Sequence, residues 1–127
     1  MPRILIVDDE PHIRLLLEQT MEELEDEGVE LLTAGNGIDA MNIIQEKKPE
    51  LIFVDVMMPG MSGFEVCSKV KHELGMKELY MIMLTAKGQE VDREQGMKCG
   101  ADIYMTKPFN PDEVLKKARE VLGLMKG

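Results

Sequence analysis

The chain has 127 residues, with 15 Lys plus Arg against 24 Asp plus Glu, a formal charge of −9. This length suits one domain of roughly 100–200 residues with its own core, and a composition 44% hydrophobic and 31% charged excludes a disordered chain. The acidic surplus argues against nucleic acid or an anionic membrane as a direct ligand, because both attract basic faces; it suits a chain that gathers a divalent cation.

The elements follow from periodicity. A first strand is predicted over Arg3–Val7, ending in Asp8-Asp9-Glu10, and a first helix carries Ile13, Leu16, Leu17, Met21 and Leu24 on one face. A second strand over Val29–Ala34 leads through Gly35-Asn36-Gly37 into a helix with Ala40, Ile43 and Ile44 inward. A third, Leu51–Val54, ends in Asp55. Beyond the Pro59-Gly60 turn, Ser62 is placed to cap a helix striped with Phe64, Cys67, Val70 and Leu74. A fourth strand, Leu79–Leu84, ends in Thr85-Ala86 and precedes a weaker helical segment, Gln89–Cys99. The fifth, Ala101–Met105, runs through Tyr104 into Lys107-Pro108-Phe109. Asn110-Pro111-Asp112-Glu113 then opens the last helix with an N-cap, a first-turn Pro and a capping-box Glu.

The strand runs are apolar with little alternation, as expected for strands covered on both faces. Five βα units with right-handed crossovers predict an α/β fold: an open, doubly wound, five-stranded parallel sheet filling residues 1–127 as one domain. No apolar run approaches the roughly 20 residues that span a bilayer and no signal-peptide pattern opens the chain, so a cytoplasmic location is expected. Cys67 and Cys99 are too few for a disulfide framework or zinc site and read as small core residues. His12 and His72 have no partners at ligand spacing and read as solvated. The twelve methionines read as flexible core filler.

In such sheets functional groups gather at the carboxyl ends of the strands. Asp8, Asp9 and Asp55 would meet there, and like charges that close raise one another's pKa unless a cation intervenes. Their hard oxygens suit Mg²⁺, with Mn²⁺ as the alternative. Three carboxylates, one divalent cation and the Lys107 ammonium sum to about zero, so an arriving phosphoryl group meets a neutralised site. An Asp carboxylate can then act as nucleophile and form an aspartyl phosphate.

The ordered set Asp8-Asp9, Asp55, Met58-Pro59-Gly60-Met61-Ser62-Gly63, Thr85-Ala86 and Lys107-Pro108 resembles the receiver domain of bacterial two-component response regulators, from Ile4 to Leu124. The resemblance implies a flavodoxin-like (βα)5 fold with strand order 2-1-3-4-5. It implies a phosphorylation-dependent signalling switch with Asp55 as phosphoacceptor. Asp8, Asp9, Asp55 and the backbone carbonyl of Met57 would hold Mg²⁺, and Thr85 and Lys107 would hold phosphoryl oxygens. Tyr104 would be the aromatic switch that follows Thr85, and the Lys107-Pro108 bond would be cis. Met57 and Lys87 would tune the phosphorylated lifetime. The chain would be no enzyme beyond self-phosphorylation from phosphohistidine and slow self-dephosphorylation.

The implied partners are a histidine kinase or phosphotransfer protein, meeting the first helix (Pro11, Ile13, Arg14, Leu17) and the Pro108 loop, and a downstream protein at the helix 4–strand 5–helix 5 face. Asp102-Ile103 before Tyr104 departs from the Asp-Asp of dimerising receivers and favours a monomer, leaving a phosphorylation-dependent dimer open. Met1 and the lack of a linker favour a stand-alone receiver over a fragment. Two rivals fit less well. Gly35-Asn36-Gly37-Ile38-Asp39-Ala40 matches a dinucleotide-binding turn but follows the second strand and leaves Asp8, Asp9, Thr85 and Lys107 unexplained. A metal-dependent aspartyl phosphatase would usually carry an acid two residues after its nucleophile, where this chain has Met57.

Overall fold

The structure is a computed structural model that describes residues 2–86 and 99–124. Its five strands are β1 (Arg3–Val7), β2 (Glu30–Ala34), β3 (Leu51–Asp55), β4 (Tyr80–Ala86) and β5 (Ile103–Lys107), all parallel in the order β2-β1-β3-β4-β5. The helices are α1 (Pro11–Thr20), α2 (Glu22–Glu25), α3 (Gly37–Lys47), α4 (Gly63–Ser68) and α5 (Pro111–Leu122). The predicted helix Gln89–Cys99 lies, apart from Cys99, outside the described residues.

Alternation along the central strands builds two cores. Leu5, Val7, Ile52, Val54, Met81 and Met83 face α3 and α4, meeting Ala40, Met41, Ile44, Phe64, Cys67 and Val70. Ile4, Ile6, Leu51, Phe53, Ile82 and Leu84 face the other way, against Leu17, Met21 and Leu24 and against Val114 and Ala118 of α5. Strands buried on both faces need no polar residues, which is why these runs read as continuously apolar. Each such side chain contributes about 1.5–3 kcal/mol by leaving water.

The caps explain where helices begin. Asn36 accepts from the Asp39 N–H at 2.8 Å and Ser62 from the Glu65 N–H at 3.2 Å. Asn110 accepts at 2.8 Å from Asp112, one residue earlier than the capping box places it. Two expectations about helical faces fail, at Leu16 and Leu74. The first helix breaks at Met21, and Leu16 is exposed rather than inward. Leu74 is also exposed, because α4 continues into a π turn, Lys69–Glu73, with the Leu74 N–H bonded back to the Lys69 carbonyl. That wide turn adds a residue and rotates the chain beyond it, so Leu74 leaves the stripe.

Lys71 is buried instead. Its ammonium donates to the carbonyls of Lys77 (3.0 Å) and Leu79 (2.5 Å) and pairs with Asp102 at 3.1 Å. The same Asp102 oxygen accepts the Met81 N–H at 2.8 Å. This latch joins the π turn to the starts of β4 and β5. On the opposite layer Arg119 of α5 forks onto Glu23 and Glu27, tying α5 to α2 and the loop after it.

Candidate functional site

The alternation that builds the α1–α5 core also aims the acids. Asp8 follows Ile4 and Ile6, and Asp55 follows Leu51 and Phe53, so both carboxylates continue one face of adjacent strands β1 and β3. Asp8 is fully buried and Asp55 only 6% exposed; Asp9 is the more accessible of the three. One oxygen from each lies within 4.8 Å of the others.

Backbone and side chains hold this edge in place. The Asp8 N–H extends the ladder to the Ala34 carbonyl at 3.2 Å, and an Asp8 oxygen accepts the Glu10 N–H at 2.9 Å. Arg14 reaches back from α1 to donate to the Asp8 carbonyl at 2.6 Å. The N-cap of α1 is Glu10, without a side-chain cap bond. Across the site, Gly63 opens α4 directly against the backbone of Asp55; a Cβ there would stand 2.3 Å from the Asp55 carbonyl oxygen. Only glycine permits that approach. Gly37 of the dinucleotide-like turn meets Met61 in the same way, with 2.6 Å to its Cβ. That glycine serves packing rather than a phosphate.

Lys107 enters from the end of β5. Its ammonium lies 2.7 Å from Asp8 and 3.4 Å from Asp55, bridging both carboxylates. Burial, then the charge of Asp8, pushes Asp55 up from 3.8 to about 6, against the opposing pull of Lys107 and the Met57 N–H. Burial alone would lower the Lys107 pKa, but its hydrogen bond to Asp8 and the two carboxylate charges carry it above the ordinary value. Three carboxylates and one ammonium leave a formal −2, and within that surplus the Asp8 charge adds to burial in raising Asp55. The residues present therefore fit a hard divalent cation: clustered oxygen donors, little nitrogen or sulfur, and excess negative charge.

The remaining expected residues sit around this centre. Thr85 is buried on β4, one position beyond Leu84, the register partner of Asp55. Ala86 stands beside Lys107 in the β4–β5 register, and the Lys107-Pro108 peptide is cis. Met57 is 60% exposed at the mouth. Tyr104 lies on β5 opposite Met83 and is 38% exposed; burial of the rest, then the neighbouring thiols of Cys99 and Cys67, raises its hydroxyl to about 12. Lys87 lies outside the described residues. On α1, Pro11 is exposed and Ile13 and Arg14 are partly covered, but Leu17 is fully buried in the core and offers a partner nothing. The exposed apolar residues of that helix are Leu15 and Leu16. Sequence reasoning missed Arg14 as a clamp on the Asp8 peptide and Gly63 as a spacer; only the Gly in the Met58–Gly63 run hinted at the second.

Residues 4–119 match the response regulator receiver domain family. The chain belongs to that family. It is 41% identical over 120 residues to the alkaline phosphatase synthesis transcriptional regulatory protein PhoP of Bacillus subtilis, covering 94% of this chain and 48% of that protein. It is 44% identical over 119 residues to the phosphate regulon transcriptional regulatory protein PhoB of Pseudomonas aeruginosa, covering 94% and 51%. This receiver thus spans about half the length of these curated relatives. Among solved structures, the Vibrio cholerae chemotaxis protein CheY4 superposes with a TM-score of 0.81 at 34% identity, covering 95% of this chain and 98% of that one. The flavodoxin-like strand order 2-1-3-4-5 is that of the family fold, and among the described residues no helix is long and apolar enough to cross a membrane.

Proposed function

We propose that residues 1–127 act as a single receiver domain that takes a phosphoryl group from phosphohistidine onto Asp55 and relays the event through Thr85 and Tyr104. The observation that carries this reading is the Lys107 ammonium bridging Asp8 and Asp55 at the ends of adjacent strands. With a pKa of about 6, the Asp55 carboxylate is mostly ionised at neutral pH and able to attack. Its oxygen forms the new bond to phosphorus as the phosphorus–nitrogen bond breaks and the donor imidazole leaves. Lys107 offers its charge to the phosphoryl oxygens, and the Thr85 hydroxyl moves in to donate a hydrogen bond.

Asp8, Asp9, Asp55 and the Met57 carbonyl would hold Mg²⁺, or Mn²⁺ in its place. Bound there, the cation neutralises charge developing on the phosphoryl oxygens. Movement of Thr85 frees space for Tyr104 to turn inward and alter the surface around β5 and α5, where a downstream protein binds. Met57 offers no side-chain hydrogen bond to orient an attacking water, which favours a long-lived phosphorylated state; Lys87 is the second tuning position. The donor is a histidine kinase or phosphotransfer protein in the cytoplasm, docking beside Pro11 and the Pro108 loop.

Titration with beryllofluoride and Mg²⁺, which together mimic an aspartyl phosphate, tests this assignment by NMR. The expected result is saturable shifts at Thr85, Tyr104 and Lys107 that vanish in Asp55→Asn. Phosphoryl transfer to Asp55→Asn at the normal rate would overturn it.

A further inference from the structure

We propose that Cys67 and Cys99 form a peroxide-sensitive thiol pair that closes to an intramolecular disulfide beside Tyr104. The two residues lie 32 positions apart, Cys67 on α4 and Cys99 just before the lead into β5, yet the Cys67 thiol donates to the Cys99 carbonyl at 3.3 Å. The two thiols lie close enough to shift each other's pKa, and Cys99 and Tyr104 influence each other in the same way. Core filling accounts for one buried cysteine at each position. It does not account for two free cysteines in direct contact across 32 residues of chain, next to the residue assigned to the switch.

The pair is asymmetric. The Cys67 contact, against the opposing pull of burial, brings Cys99 down to about 7, whereas the same contact and burial drive Cys67 upward. Near neutral pH Cys99 is thus the readier of the two to ionise while Cys67 keeps its proton, which suits an attacking and a resolving thiol. Hydrogen peroxide is the co-reactant. The Cys99 thiolate attacks one peroxide oxygen, the oxygen–oxygen bond breaks, and hydroxide leaves and takes up a proton as water. The resulting sulfenic acid is attacked by the Cys67 sulfur; its sulfur–oxygen bond breaks and the oxygen departs as water with the Cys67 proton. Two thiols and one peroxide give one disulfide and two waters, with sulfur oxidised and oxygen reduced.

The bond would fasten α4, which begins against the Asp55 backbone, to the segment that delivers Tyr104. It would also remove the Cys99 thiol whose charge acts on the Tyr104 hydroxyl. The consequence for Tyr104 rests on the switch reading above, whereas disulfide formation does not.

The test is exposure of the full chain to hydrogen peroxide, followed by alkylation in denaturant and peptide mapping by mass spectrometry. Expected is a Cys67–Cys99 cross-linked peptide about 2 Da lighter than the two thiol peptides together, reversed by dithiothreitol. In Cys67→Ala, Cys99 should accumulate as a sulfenic acid trapped by dimedone, and in Cys99→Ala the Cys67 thiol should stay unreacted. NMR of the oxidised wild type should show a displaced Tyr104 resonance. Methionine oxidation is an internal gauge of exposure. Methionine sulfoxides with both cysteines still alkylatable would overturn the proposal, as would a sulfinic acid on Cys99 beside an intact Cys67, or cross-links only between molecules. The mass readout involves no phosphoryl chemistry, so its failure leaves the phosphoacceptor reading standing.

Discussion

Asp55→Asn should make the metal-free protein more stable at neutral pH, not less. In the folded chain Asp55 binds its proton with a pKa of about 6, against 3.8 for an ordinary aspartate. A raised folded-state pKa means the group's contribution to stability is fully present below about pH 4 and is lost as pH rises through about 6. About two pKa units at about 1.4 kcal/mol each give roughly 3 kcal/mol of destabilisation above pH 7, arising from a carboxylate held dry beside Asp8. Asparagine keeps the shape and removes the charge. Urea unfolding in EDTA, followed by far-ultraviolet circular dichroism between pH 4 and 8, measures the difference. With a slope of about 1–3 kcal/mol per molar urea, the variant's midpoint should exceed the wild type's by about 1–3 M at pH 7.5. The two curves should converge near pH 4. Saturating Mg²⁺ should close much of the gap at pH 7.5 by stabilising the wild type alone. A variant no more stable than the wild type at pH 7.5, or a gap independent of pH, would refute the electrostatic account of the site.

Other substitutions separate frame from chemistry. Lys71→Met should cost about 3–5 kcal/mol in urea unfolding by stranding Asp102, and Lys71→Met combined with Asp102→Asn should recover part of that loss, because the Asn oxygen can still accept the Met81 N–H. Gly63→Ala should cost about 1–3 kcal/mol and weaken beryllofluoride binding measured by NMR, since the new methyl meets the Asp55 carbonyl and α4 must withdraw. Met57→Asn should leave stability within about 0.5 kcal/mol and speed decay of phosphorylated Asp55, followed by loss of radiolabel; an unchanged decay rate would count against the water-orienting argument.

The sheet and its acidic edge are legible in the sequence because both depend on short-range pattern. Apolar runs of five residues form strands, and polar residues immediately after them have to fall at strand ends. Asp8, Asp55, Thr85 and Lys107 are found this way. Lys71 is not, since a lysine beside an apolar stripe ordinarily reaches solvent, and only a π turn brings it inward. That turn depends on where β4 and β5 supply the Leu79 carbonyl and Asp102, partners that no local window contains. The exposure of Leu74 has the same origin: helical period predicts a face only while the helix winds regularly, and α4 widens at Lys69. Arg14 escaped for another reason, because its partner is a backbone carbonyl and backbone carries no sequence signal.

The acids are the next steps of the alternation that runs Ile4, Ile6 and Leu51, Phe53 into the core. A slip of one residue in β1 or β3 would send those apolar side chains to the opposite layer and carry Asp8 or Asp55 with them. Core and site are thus one register read twice. A compact but mispaired chain would keep none of the cation-binding geometry, so saturable Mg²⁺ binding doubles as an assay of correct strand pairing, sensitive to errors that secondary-structure content alone would pass over.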